Sequence, residues 1–423
     1  MNLRIGPKAL LWLVLSLFAG VTAWLYMHRV LGPWEHYFNV EAGTMRATLG
    51  DLYSPWFGSR ELLLRGKNPY GPEVTHDIQI AFYGHDIRPA MAGQKIVDEQ
   101  RFAYPTYVVF LLAPTVKVEF DQLQAFAPLV LAAVVVCTVW LWLSVLRWRP
   151  PRMTAWAATL FMLASPQMAQ GLRLRQLGLI VACLLALATW LVVRNHLVAA
   201  GAVLALATIK PQMMVLPLAW FLLWGLAAFR KRWRLLAGFG IGLASLVGAG
   251  ELILPGWPRD FVAGLIAYRR YASMTTLLQL ALGRVGGATF AVLIIAALVA
   301  WGWKNAKQGA DAPEFAWRLS AFFMGAALAL PLMSPFNQVL LIPPVLMLLR
   351  DWGTLPSAAR VFFAACVSWP WLAELALLVL PLHLKSLRPI PLLPSALVLL
   401  LPFFLPLLLR ARRIPVSSAV ADS

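Results

Sequence analysis

Charged residues are scarce in this chain. Asp, Glu, Lys and Arg make up 13% of its 423 residues, whereas 61% of the residues are hydrophobic. Soluble globular proteins carry about a quarter charged residues. So few charges cannot cover the surface of a soluble protein of this length. The composition therefore excludes a soluble fold and indicates a protein that faces lipid.

Cysteine and the short motifs of soluble enzymes are also scarce. The three cysteines, Cys137, Cys183 and Cys366, each lie inside an apolar run, so neither a disulfide framework nor metal-ligand spacing follows. The chain has no GxxxxGKS/T, HExxH or GxSxG motif, and these are the signatures of P-loop nucleotide sites, zinc proteases and α/β-hydrolases. We predict neither a metal nor a cofactor.

Long apolar segments are what the chain has in abundance. They lie at 9–27, 123–146, 153–167, 178–193, 197–209, 212–229, 235–254, 286–303, 317–333, 337–349, 357–380 and 390–409. A helix needs about 20 apolar residues to cross a bilayer, so the shorter segments are predicted as broken or extended helices. We predict an all-α integral membrane protein, a polytopic bundle of about 12 transmembrane helices. It forms one domain, 1–423, with a short disordered tail at 414–423.

Basic residues indicate the orientation in the membrane. The net charge is +18, which in a soluble protein would suggest nucleic-acid binding. Here the basic residues cluster in short loops, at 147–152, 230–234 and 410–413, which is the positive-inside pattern. We predict contacts with membrane lipids and none with nucleic acid. Both termini are predicted to be cytoplasmic in a multi-pass protein of the inner (plasma) membrane.

The first extracytoplasmic loop, 28–122, is the only large polar region. Within it, the pattern from Asp51 to Arg65 predicts an amphipathic helix that lies in the membrane interface. The apolar stretch from Tyr107 to Pro114 is too short to span and predicts a re-entrant or interfacial segment. Asp51 opens the amphipathic helix, so its carboxylate is a candidate general base or, alternatively, an N-cap.

Ionisable residues that interrupt or end apolar runs are the other candidates. Arg173, Arg175 and Lys210 could form a cationic cavity for a lipid phosphate, because Arg grips phosphate in bidentate fashion and Lys acts as a point charge. The alternative is snorkelling to the headgroups. Glu251 lies near the end of an apolar run, where a carboxylate is either functional or in contact with the headgroup layer.

Two groups of short motifs resemble a known family. The first contains Gly50-Asp51-Leu52-Tyr53, Arg65-Gly66-Lys67-Asn68-Pro69-Tyr70, and Tyr104-Pro105 before an apolar run. The second contains Arg175-Gln176-Leu177-Gly178 and, farther on, Ile209-Lys210-Pro211. In this order the motifs, over about residues 45–240, resemble glycosyltransferase family 87, which includes the bacterial polyprenyl-phosphate-mannose-dependent mannosyltransferases.

The resemblance implies a fold and a reaction. It implies a GT-C type bundle with an extracytoplasmic active site and Asp51 as the catalytic base. Asp51 would deprotonate an acceptor hydroxyl while the sugar leaves a polyprenyl-phosphate donor with inversion, and Arg173, Arg175 and Lys210 would bind the donor phosphate. The acceptor would be a lipid or a glycan. The remaining candidate sugar or acceptor contacts are Tyr53, Asn68, Tyr70, Tyr104, Gln176 and Glu251.

Two other functions fit parts of the sequence. A transporter or flippase of lipid-linked saccharide would also have about twelve spans and a basic pocket. Transporters usually show internal repeats and have small soluble loops, whereas this chain has the long loop 28–122 and no obvious repeat. A non-catalytic membrane scaffold is the third possibility, and the presence of Asp51 argues against it.

Overall fold

A computed structural model describes residues 7–41, 49–85, 87, 98–269, 275–332 and 334–379 of the protein. Over these residues the secondary structure is entirely helical. The α-helices are α1 (Pro7–Tyr26), α2 (Gly32–Glu41), α3 (Tyr53–Arg65), α4 (Pro72–Tyr83), α5 (Val108–Leu112), α6 (Phe120–Val145), α7 (Arg152–Leu163), α8 (Pro166–Arg173), α9 (Gly178–Val193), α10 (Leu197–Ala207), α11 (Pro211–Ala227), α12 (Phe229–Ile253), α13 (Trp257–Tyr268), α14 (Leu277–Asn305), α15 (Pro313–Ala329), α16 (Ile342–Arg350) and α17 (Ser357–Val379). A π-helix, Met27–Leu31, joins α1 to α2, and a 3₁₀ segment, Pro335–Leu341, leads into α16.

Five of the described helices are long and apolar enough to cross a membrane. They are Leu10–Tyr37, Phe120–Val145, Phe229–Ile253, Leu277–Asn305 and Ser357–Val379. The number rises to six if α8 and α9, which meet at a bend of 116°, count as one span. The membrane character and the all-helical fold are therefore confirmed, whereas the count of twelve spans stays a prediction. The last predicted span, 390–409, and the tail, 414–423, lie outside the described residues.

The predicted amphipathic helix is α3, which begins at Tyr53 rather than at Asp51. Leu52 occupies the N-cap position and its side chain makes no capping hydrogen bond, so Asp51 lies one residue before the N-cap. In the amphipathic pattern from Asp51 to Arg65, Glu61 falls on the polar face, but in the structure it is only 1% exposed. Arg65 donates to Glu61 at 2.9 Å, and the Lys67 ammonium lies 3.7 Å away. This pairing explains how a carboxylate can be buried on that face.

Close helix packing brings α10 against α12. A Cβ atom at Gly201 would lie 2.3 Å from the Leu235 carbonyl oxygen, and one at Gly238 would lie 2.3 Å from the Val198 carbonyl oxygen. Such contacts require glycine, and they are typical of helices that approach closely in membranes. The GxxxG spacing of Gly238 and Gly242 therefore has a packing role.

One extended apolar core joins the described helices that surround the candidate site. Trp142 on α6, Trp220 on α11 and Phe323 on α15 are all almost fully buried in it. The 3₁₀ segment Pro335–Leu341 packs against α8, α9 and α15. This packing brings residues near position 337 to the bend between α8 and α9, where the candidate site lies.

Candidate functional site

A cavity of about 380 Å³ lies where several chain segments meet. The segments that precede α3, α5 and α9 contribute to it, together with the start of α3, the junction between α10 and α11, the end of α13 and the residues that follow α15. The polar and aromatic residues that line it are Asp51, Ser54, Arg101, Tyr104, Gln176, Lys210, Gln212, Tyr268, Ser334, Phe336 and Asn337. Asp51, Tyr104, Gln176 and Lys210 were among the residues singled out in the sequence, so four of the predicted site residues meet in one cavity.

Gly50 allows Asp51 to approach the bend between α8 and α9. The Asp51 N–H donates to the Leu174 carbonyl oxygen at 2.8 Å. Gly50 has φ +72°, and a Cβ atom there would lie 2.9 Å from the same carbonyl oxygen. Glycine adopts this left-handed conformation without a steric cost. The backbone therefore fixes the distance between Asp51 and the segment that carries Gln176.

Arg175 also connects the bend between α8 and α9 to neighbouring segments. Its guanidinium donates to the carbonyl oxygens of Gln124 at 3.1 Å, Arg173 at 3.2 Å and Leu49 at 3.5 Å. Arg175 itself has φ +56°, a conformation that is uncommon for residues other than glycine. The structure places its side chain beside the cavity, on backbone carbonyls, and not among the lining residues.

Gln176 links the candidate base to the candidate cation. Its Nε2 donates to Asp51 Oδ2, and its Oε1 accepts from Lys210 Nζ at 2.8 Å. The two neighbours fix the orientation of the amide, because a carboxylate accepts and an ammonium only donates. Gln176 is 3% exposed. One amide therefore separates the carboxylate from the ammonium and fills the space between them.

Lys210 lies between α10 and α11, outside the five candidate spans, and is 6% exposed. A Cβ atom at Gly178 would come within 3.1 Å of Nζ, so glycine leaves room for the ammonium. Nζ also lies 3.5 Å from Asn337 Oδ1 and 4.9 Å from the centre of the Phe336 ring. Burial lowers the pKa of Lys210 to about 8, and the charge of Asp51 opposes part of that shift.

Tyr104 lines the cavity and is held there by two other predicted residues. The Tyr70 hydroxyl donates to the Tyr104 carbonyl oxygen at 2.6 Å. Asn68 accepts from the Tyr70 N–H at 2.9 Å and donates to Asp260 on α13 at 2.8 Å. Burial and, after it, the charge of Asp51 raise the pKa of the Tyr104 phenol. Asn68 and Tyr70 therefore brace the wall of the cavity.

Besides Arg175, Asn68 and Tyr70, three further predicted residues lie away from the cavity lining. Tyr53 packs against Phe57 and Phe120. Glu251 accepts from the Gly256 N–H at 2.7 Å, at the turn after α12. Arg173 pairs with Glu35 on α2 at 2.5 Å. In this structure Lys210 is the member of the predicted cation trio that reaches the cavity.

Some lining residues were not singled out as site residues in the sequence. Arg101, Tyr268, Phe336 and Asn337 are not among the residues that the sequence predicts for the site. A signal existed for Asn337, because a carboxamide at the start of an apolar run is costly in lipid and marks a functional position. No comparable signal distinguished Arg101 from the other basic residues of the loop.

The arrangement suits one kind of chemistry. A carboxylate and an ammonium face a shared cavity without neutralising each other directly, because Gln176 stands between them. A carboxylate so placed can accept a proton, and a buried ammonium can stabilise negative charge that develops nearby. Among the described residues, no group of three or more His, Cys, Asp or Glu side chains could hold a metal ion. Metal independence of the reaction stays a prediction.

Comparisons with known proteins give one match. The sequence model of glycosyltransferase family 87 matches residues 102–335, which is more than half of the chain and confirms the resemblance. The matched range includes Tyr104, Gln176 and Lys210, begins after Asp51 and ends two residues before Asn337. No curated protein and no solved structure matches the chain.

Proposed function

Because the chain belongs to glycosyltransferase family 87, we propose that it transfers a hexose, mannose or a related sugar, from a polyprenyl-phosphate donor. The acceptor is a lipid or glycan on the extracytoplasmic face of the inner (plasma) membrane. The protein is a GT-C type bundle of about twelve spans with both termini in the cytoplasm. The apolar composition supports this setting, because the isoprenoid tail of such a donor stays in the bilayer while its sugar reaches the cavity.

The observation that carries the proposal is the link from Asp51 through Gln176 to Lys210 at the cavity. An acceptor hydroxyl attacks the anomeric carbon, and a new carbon–oxygen bond forms with inversion. The bond from that carbon to the phosphate oxygen breaks, and its electron pair leaves with the polyprenyl phosphate. Asp51 takes the hydroxyl proton as general base. Lys210 stabilises the negative charge that grows on the leaving phosphate.

Gln176 serves both groups at once in this proposal. Its Nε2 donates to one oxygen of Asp51 and so orients the carboxylate at the cavity. Its Oε1 holds the ammonium of Lys210 in place. Tyr104 contributes an aromatic wall of the kind that stacks against sugar rings. Arg175 and Arg173 act indirectly in this proposal, because their guanidiniums hold the segments that carry Asp51 and Gln176.

Sugar transfer by purified protein tests the proposal. Labelled polyprenyl-phosphate hexoses are offered with a lipid extract as the acceptor source, and the anomeric configuration of the product is determined. We expect transfer with inversion by the wild type and a loss of about 10²–10⁴ in rate for Asp51→Asn, which keeps the shape and removes the base. Asp311→Asn, at an exposed turn between α14 and α15, removes the same charge elsewhere and should transfer like the wild type.

Two results would contradict the proposal. Asp51→Asn protein that keeps the wild-type rate would exclude Asp51 as the base. Wild-type protein that binds polyprenyl phosphate but transfers none of the hexoses, and instead moves a lipid-linked saccharide across proteoliposomes, would favour the transporter.

A further inference from the structure

Residues from 334 to 337 form a wall of the cavity beside Lys210. Ser334, Phe336 and Asn337 all line the cavity. The wall is held by the packing of the 3₁₀ segment against α8 and α9, the helices that flank Gln176. Two carboxamides, those of Gln176 and Asn337, therefore contact one buried ammonium.

The two carboxamides differ in what their nitrogen atoms do. Gln176 uses both ends, the oxygen for Lys210 and the nitrogen for Asp51. Asn337 turns its oxygen to Lys210 at 3.5 Å, as it must, because an ammonium offers only donors. Its Nδ2 then points away from Lys210, and among the described residues no hydrogen bond of Nδ2 is present. The residue is 8% exposed and that exposure is to the cavity.

An amide N–H at a cavity beside an ammonium is complementary to an anion. Lys210 supplies a positive charge for the phosphodiester of a polyprenyl-phosphate sugar, whereas Arg101, another cation of the lining, is paired with Glu99. A neutral donor beside it adds a directed hydrogen bond without adding a second charge. The Phe336 ring, with its centre 4.9 Å from Nζ, adds a cation–π contact to the ammonium.

We propose that Asn337 is a binding residue for the phosphate of the donor. Its Nδ2 donates to a non-bridging phosphate oxygen whose charge Lys210 neutralises. This inference rests on the proposed function, since it assigns a further residue to the same site. Hydrogen bonds to charged groups strengthen as charge accumulates, so Asn337 also contributes as the phosphate leaves.

Binding of farnesyl phosphate, with farnesol as the uncharged control, tests the inference on the full-length protein in detergent. Farnesyl phosphate carries the head group of the leaving product on a short isoprenoid. We expect Asn337→Ala to weaken farnesyl phosphate binding by about tenfold or more and to leave farnesol binding unchanged. Asn337→Asp should weaken it further, because a carboxylate of the same shape repels the phosphate.

Asn195→Asp is the matched control for the charge. Asn195 lies in the turn between α9 and α10 with φ +62°, a conformation that Asn and Asp both tolerate. This variant should bind farnesyl phosphate like the wild type. Asn337→Ala protein that binds farnesyl phosphate as tightly as the wild type would overturn the inference.

A second comparison separates a direct contact from an effect through Lys210. In a Lys210→Gln background, Asn337→Ala should still weaken binding by a similar factor, because a direct hydrogen bond to phosphate remains to be lost. If the second substitution has no effect there, Asn337 acts only by holding Lys210, and the proposed contact is wrong. Wild-type protein that does not bind farnesyl phosphate at all would instead contradict the polyprenyl-phosphate donor of the proposed function.

Discussion

Lys210 and Arg232 are both buried cations, at 6% and 7% exposed, but their surroundings differ. Arg232, near the start of α12, donates to four backbone carbonyls, those of Trp224, Ala306, Lys307 and Gln308, at 2.6–2.9 Å. Its guanidinium also stacks 3.9 Å from the centre of the Trp224 ring. Lys210 is held by two side-chain carboxamides and an aromatic ring, and it borders a cavity.

The difference separates a structural cation from one that is available to a ligand. Backbone carbonyls at the ends of α11 and α14 lack partners within their helices, and Arg232 satisfies them with most of its donors. Among the described residues, Lys210 Nζ bonds to side-chain oxygens and not to the carbonyls of a helix end. It keeps a side toward the cavity, where a phosphate can approach. Burial alone therefore does not identify a functional cation, whereas the identity of its partners does.

Replacing Lys210 should have the largest effect on transfer. We expect Lys210→Met to reduce the transfer rate by about 10²–10³, the range seen when one electrostatic stabiliser of a transition state is removed. The thermal unfolding midpoint should stay the same or rise, because a buried ammonium carries a desolvation cost that Met does not. A variant that unfolds at a much lower temperature would show that Lys210 is structural, like Arg232.

The ionisation of Lys210 at alkaline pH gives a second test of the difference between the two cations. The pKa of Lys210 is lowered to about 8 in the folded protein from an ordinary value of 10.5. Above pH 8 the folded protein loses the charge while unfolded chains keep it up to about pH 10.5, so in this window Lys210 makes the protein more stable as the pH rises.

Transfer should change in the opposite direction. We expect kcat/KM to fall about tenfold between pH 8.5 and 9.5, because only the charged ammonium stabilises the phosphate. Lys210→Met protein provides the control, and its residual activity should lack this alkaline limb. An alkaline limb that persists in the variant would assign the ionisation to another group.

Replacing Arg175 should have a smaller effect that distinguishes positioning from phosphate binding. Lysine keeps the charge but cannot bond to the carbonyls of Leu49, Gln124 and Arg173 together. We expect Arg175→Lys and Arg175→Gln to lower kcat about five- to tenfold through displacement of Asp51, with unchanged affinity for farnesyl phosphate. A loss of affinity in Arg175→Gln that Arg175→Lys restores would support the phosphate contact first predicted for this residue.

Replacing Arg232 should leave transfer unaffected and reduce stability. Arg232→Lys cannot satisfy four carbonyls, and we expect a loss of about 2–3 kcal/mol in the free energy of unfolding. The measurement is thermal or denaturant unfolding in detergent, with transfer rates normalised to folded protein. A large loss of specific activity without destabilisation would contradict the assignment of Arg232 as a structural cation.

The sequence indicated part of the fold and part of the site, for physical reasons. Membrane character follows from composition, and α3 follows from the helical pattern after Asp51. The membership of Asp51, Gln176 and Lys210 in one site came from motif order, since Asp51 lies 125 residues before Gln176 and Lys210 lies 34 residues after Gln176. Periodicity could not give the direction of the Arg175 guanidinium, because a long side chain reaches several partners from one backbone position.

Other features needed the three-dimensional structure. The burial of Glu61 depends on Arg65 and Lys67 folding back over it, and a helical pattern assigns any carboxylate to the polar face. Asn337 reaches the site only because the 3₁₀ segment packs on the bend between α8 and α9. Long-range packing of this kind leaves no local pattern in the sequence.

The bond from the Asp51 N–H to the Leu174 carbonyl oxygen joins residues that are synthesised at different times. Asp51 is synthesised long before Leu174, and Asn337 comes much later still. At about 5–20 residues per second, roughly 15–60 s of translation separate the first residue of the cavity from the last. The candidate base is therefore synthesised well before the rest of the cavity. A chain released before residue 337 would carry Asp51 without the wall that completes its site.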